Sequence, residues 1–233
     1  MEVGSVTEFL QWVDKNPDSK MFRGQLNFDW KLIPSVVRYS HHVAHGYEAM
    51  SHIEEHLIQK FEKFSVPYMD IRPKSYIEKL IHAQHFGLPT RLLDWSTNPL
   101  KALYFAVDDP SKDDLDGVVF ALKPRYWWEQ IAKVQLDDKL AAFYPENINE
   151  RLVSQEGCFL SFPLPDAGFK VSDLTCSSYD KQVKFLSSVK ISASKKQNIR
   201  LQLCKLGVNQ RVIYPGLEGI ALWVKSSLSK HAV

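Results

Sequence analysis

Two short stretches hold the residues best suited to chemistry. In the first, Arg23 stands between Phe22 and Gly24, with Gln25 following. A guanidinium is a rigid, permanently charged fork that grips phosphate or carboxylate at two points. A neighbouring glycine lets a ligand or another backbone come close. In the second, Gln84, His85, Thr90, Arg91, Asp94, Ser96, Thr97 and Asn98 crowd an otherwise apolar segment. Polar groups there must satisfy one another or bind something. Two readings stay open for Arg23: a structural pair with an acid such as Asp94, or contact with an anionic ligand. His85 also has two, a helix C-terminal cap or a general base. Asn98-Pro99 opens a helix, whose first N–H groups and positive dipole end suit an anion such as pyrophosphate.

Other patterns carry less. His52-Ile53-Glu54-Glu55-His56 fits a zinc-binding H-x-x-E-H spacing on a helix, with Glu129, Glu146 or Glu150 as conceivable third ligands. The competing reading is an exposed polar face, and no metal is expected. Asp113-Asp114-Leu115-Asp116-Gly117 lacks the spacing and distal Glu of a calcium loop and reads as a hairpin turn. Trp127-Trp128 reads as core packing rather than a base-stacking platform. Lys195-Lys196 with Arg200 reads as a solvated helix face. Cys158 reads as a small core residue rather than a nucleophile.

The elements that must position these groups follow from periodicity. Residues 5–16 form an amphipathic helix with Ser5 and Glu8 as a capping box. Met21 to Gly24 is a short strand. Residues 47–64 form a second helix, with Ile53, Leu57, Ile58, Phe61 and Phe64 on one side. Residues 74–86 form a third, stopped by Gly87. Thr90 to Trp95 is a strand, and Leu100 to Val107 a helix started by Pro99. Strands follow at Val118 to Leu122, Gly157 to Phe162 and within Lys181 to Ile191. A helix over 193–206 ends at Gly207, and a short helix follows Pro215. The order implies a single α+β domain with small mixed or antiparallel sheets flanked by helices.

The bulk numbers agree. A chain of 233 residues, 45% hydrophobic and 12% aromatic, can close one sizeable core. A net charge of +2 is too mild to predict nucleic-acid binding from electrostatics alone. Three widely spaced cysteines argue against a disulfide framework and for a reducing, cytoplasmic setting. There is no basic-then-apolar leader pattern and no long apolar run, so no membrane is expected.

Phe22-Arg23-Gly24-Gln25, Ile33-Pro34-Ser35-Val36-Val37-Arg38 and the run Ala83 to Trp95 together resemble the FRG domain family. The likeness continues through Asn98-Pro99-Leu100, Arg151, Gln155, Gly157 and the closing Leu206 to Leu217. It implies an N-terminal helix over 1–19, an FRG domain over 20–225 and a tail over 226–233. It also implies a bacterial or phage origin. The family is named for a motif, so it implies no particular reaction.

A second, distant resemblance is to ADP-ribosyltransferases of the Arg-Ser-Glu type. Phe22-Arg23-Gly24 is similar to their first motif, Asp94-Trp95-Ser96-Thr97 to their second, and Gln155-Glu156-Gly157 to the place of their acid. This implies NAD as a substrate held by Arg23, Gly24, Gln25, Gln84, Arg91, Asp94, Ser96, Thr97, Asn98 and Arg151. Gln155, Glu156 and His85 are then the candidates for catalysis. The implied protein is a toxin or defence effector that modifies a protein or nucleic acid. The alternative is a sensor or adaptor that binds a nucleotide, nucleic acid or phage protein without turnover.

Overall fold

The computed structural model describes residues 1–69, 72–131, 134, 136, 139–146, 149–164, 171–226 and 228. One mixed sheet organises them. Its strands are β1 (Glu2–Val3), β2 (Met21–Gln25), β3 (Leu92–Ser96), β4 (Gly117–Pro124), β5 (Trp127–Trp128), β6 (Ala141–Phe143), β7 (Gly157–Ser161) and β8 (Val183–Ile191). Their spatial order is β1-β8-β4-β2-β3-β7-β6-β5. The end pairs β1–β8 and β5–β6 run parallel, and the pairs between them run antiparallel. The α+β domain expected from the sequence is present, with its strands joined in one sheet.

Helices flank the sheet. They are α1 (Val6–Asp14), α2 (Met50–Ser65), α3 (Tyr76–His85), α4 (Pro99–Phe105), α5 (Glu150–Ser154), α6 (Lys196–Lys205), α7 (Gln210–Ile213) and α8 (Leu217–Ser226). Ser5 caps α1 by accepting from the Glu8 N–H, and the Glu8 carboxylate accepts from the Gly4 N–H at 2.6 Å. Gly87, at φ 88°, takes the left-handed turn that ends α3. Short segments that periodicity cannot register were not anticipated: β1, β5, β6, α5 and the 3-10 helix over Ser35–His45.

Three apolar clusters flank the sheet. Val6, Phe9 and Trp12 of α1, Leu103 of α4 and Ile199 of α6 pack on Phe22, Val119, Ala121 and Val189. Ile58 of α2 and Ile77, Leu80 and Ile81 of α3 pack on Leu92, Phe143 and Phe159. On the opposite face, Met21, Leu93, Trp95, Val118, Phe120 and Cys158 pack under the irregular segments carrying Leu32, Val36, Phe162 and Leu174. The two helical clusters therefore sit on different halves of the sheet, with β2 and β3 at the boundary.

Three expectations need correction. Phe64 is 68% exposed rather than part of the α2 core stripe, whereas Glu54 on that helix is fully buried. The basic run at α6 is only partly a solvated face: Lys195 is exposed, but Lys196 and Arg200 are not. Lys196 is fully buried, and its Nζ donates to the carbonyls of Leu26 (2.7 Å) and Lys112 (2.8 Å). Arg200 pairs with Asp113 and donates to the Val107 carbonyl at 2.6 Å. The expected tail over 226–233 lies largely outside the described residues.

Candidate ligand-binding cleft

The sheet nearly divides at its centre. β2 pairs with β4 through five residues and β3 with β7 through five, yet β2 and β3 share only Phe22 with Ser96. Beyond that pair the strands part. A cavity of about 620 Å³ occupies the gap, a size suited to a small-molecule ligand. Strand alternation shows how it is built. Arg23, Gln25 and Trp95 belong to the sheet face of Val118 and Phe120, whereas Gly24, Asp94 and Ser96 belong to the helical face. Both sets line the same cavity, as happens where two strands separate.

Arg23 spans the gap. Its Nη1 donates to the backbone carbonyl of Asp94. Its Nε is enclosed and has no hydrogen-bond partner among the described residues. Burial pushes the guanidinium below its ordinary value; Asp94 opposes that shift and Arg38 adds to it. Across the cavity wall, the Thr90 hydroxyl donates to Gln84 Oε1, and Gln84 Nε2 donates to Asp94 Oδ1 at 2.8 Å. The Asp94 carboxylate is thus aimed by Gln84 and its carbonyl gripped by Arg23. Ser35 and Thr90 bind each other's groups at 3.1 and 3.3 Å, which anchors the segment leading to Arg38.

A second rim comes from α5 and α7. Ser96 Oγ donates to the Gln155 carbonyl at 2.7 Å, and Gln155 Nε2 donates to the Ile213 carbonyl at 3.3 Å. The Arg151 guanidinium lies 5.0 Å from the centre of the Tyr214 ring, and the Tyr214 hydroxyl donates to Asp108 Oδ2 at 3.1 Å. Burial, reinforced by Asp109 and opposed by the Tyr214 hydrogen bond, pushes the Asp108 carboxyl up to about 6. His85 sits at the same rim. Burial and Arg151 hold its imidazole below the usual value, so the neutral ring is favoured at pH 7, with Glu218 acting the other way.

Of the residues singled out in the sequence, the cavity gathers Arg23, Gly24, Gln25, Gln84, His85, Asp94, Ser96, Arg151 and Gln155. It does not include Arg91, Thr97, Asn98 or Glu156. Arg91 is buried elsewhere, with Nε on Glu54 Oε2 at 2.7 Å and its own N–H on Glu54 Oε1 at 2.6 Å. Asn98 occupies the helix start it was expected to leave open: its Oδ1 accepts from the N–H groups of Leu100 and Lys101. Glu156, in the left-handed conformation at φ 47°, takes Lys101 Nζ at 2.8 Å and Asn98 Nδ2 at 3.0 Å. Its carboxylate is held low by Lys101 first, with Asn98 also lowering it. The Thr97 N–H donates to the Glu156 carbonyl at 3.0 Å, closing that turn.

Gly24 serves a backbone rather than a ligand. A Cβ there would stand 1.9 Å from the Ala102 carbonyl oxygen, so the glycine admits α4 against β2. Cys158 is buried, and burial pushes its thiol well up. His52 is half exposed beside Glu48, and no group of three or more His, Cys, Asp or Glu able to hold a metal occurs among the described residues. Likewise, no described helix is long and apolar enough to cross a membrane.

The cavity residues that sequence reading missed include Trp30, Lys31, Arg38, Asp108 and Asn149. Arg38 closes the Ile33–Arg38 motif, which was a signal. Asp108 sits just past α4 with no local pattern to mark it. The lining carries Arg23, Lys31, Arg38 and Arg151 against Asp94 and Asp108, a balance that attracts anions.

Comparison with known proteins adds one relation. Residues 18–115 match the family model of the FRG domain. No curated protein and no solved structure gives a significant match to the chain.

Proposed function

We propose that this chain, which carries an FRG domain over residues 18–115, binds a phosphate-bearing nucleotide of the NAD class in the cleft between β2 and β3. The observation that carries the reading is that Arg23, Ser96 and Gln155, one residue from each motif similar to the ADP-ribosyltransferases, line one cavity. Arg23, with a free Nε among the described residues, is the phosphate contact. Lys31, Arg38 and Arg151 add positive charge to the same lining.

Two activities are compatible with that ligand. One is ADP-ribosyl transfer to a protein or nucleic acid, the role of a toxin or defence effector. The other is a sensor or adaptor that binds without turnover. Glu156 favours the second, because its carboxylate is committed to Lys101 and Asn98 outside the cavity. Gln155 has no basic group to replace it.

Calorimetry with NAD and labelled-NAD transfer assays on a bacterial lysate test both levels. Saturable binding by the wild type and its loss in Arg23→Ala are expected. If the wild type and Arg23→Ala behave alike in both assays, the cleft does not bind this ligand class.

A further inference from the structure

The cleft is lined by neutral polar side chains besides its charges. Gln25 is 5% exposed and Trp95 is 4% exposed, so both side chains are more than nine-tenths buried. Both line the cavity. Gln25 Oε1 and Trp95 Nε1 each lack a hydrogen-bond partner among the described residues. They also share a sheet face: Gln25 lies in register with Val118, and Trp95 packs in the cluster containing Val118. One is an acceptor and the other a donor. Buried polar atoms left unpaired are uncommon, because each forfeits its bonds to water. Two of opposite sense, on residues that line one cavity, match a group that also offers one of each.

We propose that Gln25 and Trp95 form a subsite that reads a neutral ligand edge bearing one hydrogen-bond donor beside one acceptor. A primary carboxamide has that edge, as does the amino-imine edge of adenine. A carboxylate lacks the donor and hypoxanthine reverses the pattern. Arg23 lines the same cavity, and in this arrangement its charge holds the phosphates while the pair selects the ring end. The inference rests on the nucleotide reading above and adds which chemical group is discriminated.

The test uses the full chain and three dinucleotides: NAD, its nicotinic acid analogue and its hypoxanthine analogue. One analogue is expected to bind at least about tenfold more weakly than NAD, since a pocket atom meets a mismatched group. Loss with the nicotinic acid form assigns the subsite to the carboxamide; loss with the hypoxanthine form assigns it to adenine. Gln25→Met and Trp95→Phe preserve bulk and remove the polar atoms, so they are expected to erase the preference. Their melting temperatures in the absence of ligand are expected to equal or exceed that of the wild type. Equal affinity of the wild type for all three dinucleotides overturns the subsite alone, as does a preference that survives in both variants. No binding of any of the three to a folded wild type overturns the nucleotide reading and the subsite with it.

Discussion

Arg23 Nη1 donates to the backbone carbonyl of Asp94 at the point where β2 and β3 stop pairing. A side chain stands in for the main-chain ladder, which ends after Phe22 and Ser96. The structural partnership of Arg23 with Asp94 is present, made to the backbone carbonyl. Nη1 holds the far strand, and Nε is enclosed without a partner among the described residues.

Replacement of Arg23 should expose this double role. Arg23→Ala is expected to abolish dinucleotide binding and to lower stability by about 1.5–3 kcal/mol, the range for a hydrogen bond to a charged group. Urea denaturation and calorimetry on the same samples give both numbers. Arg23→Lys keeps charge without the fork and is expected to recover part of the affinity only. Full affinity in Arg23→Ala would contradict the assignment of Nε to the ligand.

The Gly24 contact predicts a steric effect. Gly24→Ala places its methyl 1.9 Å from the Ala102 carbonyl, so α4 must move off β2. A loss of about 1–3 kcal/mol is expected in denaturant titration. Because Ala102 and Phe105 also line the cavity, dinucleotide affinity should fall as well. A variant with wild-type stability would show that α4 yields without cost.

Arg91 predicts the opposite pattern. It is 4% exposed and paired with fully buried Glu54, whose carboxyl is raised by burial and lowered again chiefly by Arg91. Arg91→Met strands that carboxylate and should cost about 3–5 kcal/mol. Adding Glu54→Leu should restore most of the loss, because a buried pair can be replaced by apolar groups. Affinity per folded molecule should remain at the wild-type level. A specific affinity defect in the stable double variant would move Arg91 back to the ligand site.

Asp108 predicts a pH signature. Its carboxyl is raised from 3.8 to about 6, with burial as the largest cause. The folded chain therefore holds this proton more tightly than the unfolded chain. Stability from this group is fully present below about pH 4 and is lost as pH rises through 6. Asp108→Asn keeps an acceptor for the Tyr214 hydroxyl and removes the buried charge. At pH 8 it should be more stable than the wild type, by on the order of 2 kcal/mol. The gain should shrink towards zero near pH 4. Parallel urea titrations at pH 4, 6 and 8 check it; a difference independent of pH would show that Asp108 does not titrate in this range.

The sequence by itself determined the elements whose apolar period is long and whose caps are local. Ser5, Asn98 and Gly87 act within a turn of their own helix, and Val118 to Leu122 of β4 is an unbroken apolar run. It also marked Arg23 and the Gln84–Ser96 stretch, since polar groups in apolar surroundings stand out in one dimension. Only the tertiary structure decided which of them face one another. Arg91 and Asp94 are three residues apart, yet one turns to Glu54 and the other to the cavity. Gln155 and Glu156 are adjacent, yet the left-handed backbone at Glu156 sends its carboxylate to Lys101. Lys196 reads as a surface charge until Leu26, just past β2, and the 3-10 helix over Pro110–Lys112 bring two carbonyls to it. The reason is physical. Local propensity depends on neighbours within a turn, whereas burial, pairing and the gap between β2 and β3 depend on residues up to a hundred or more positions away.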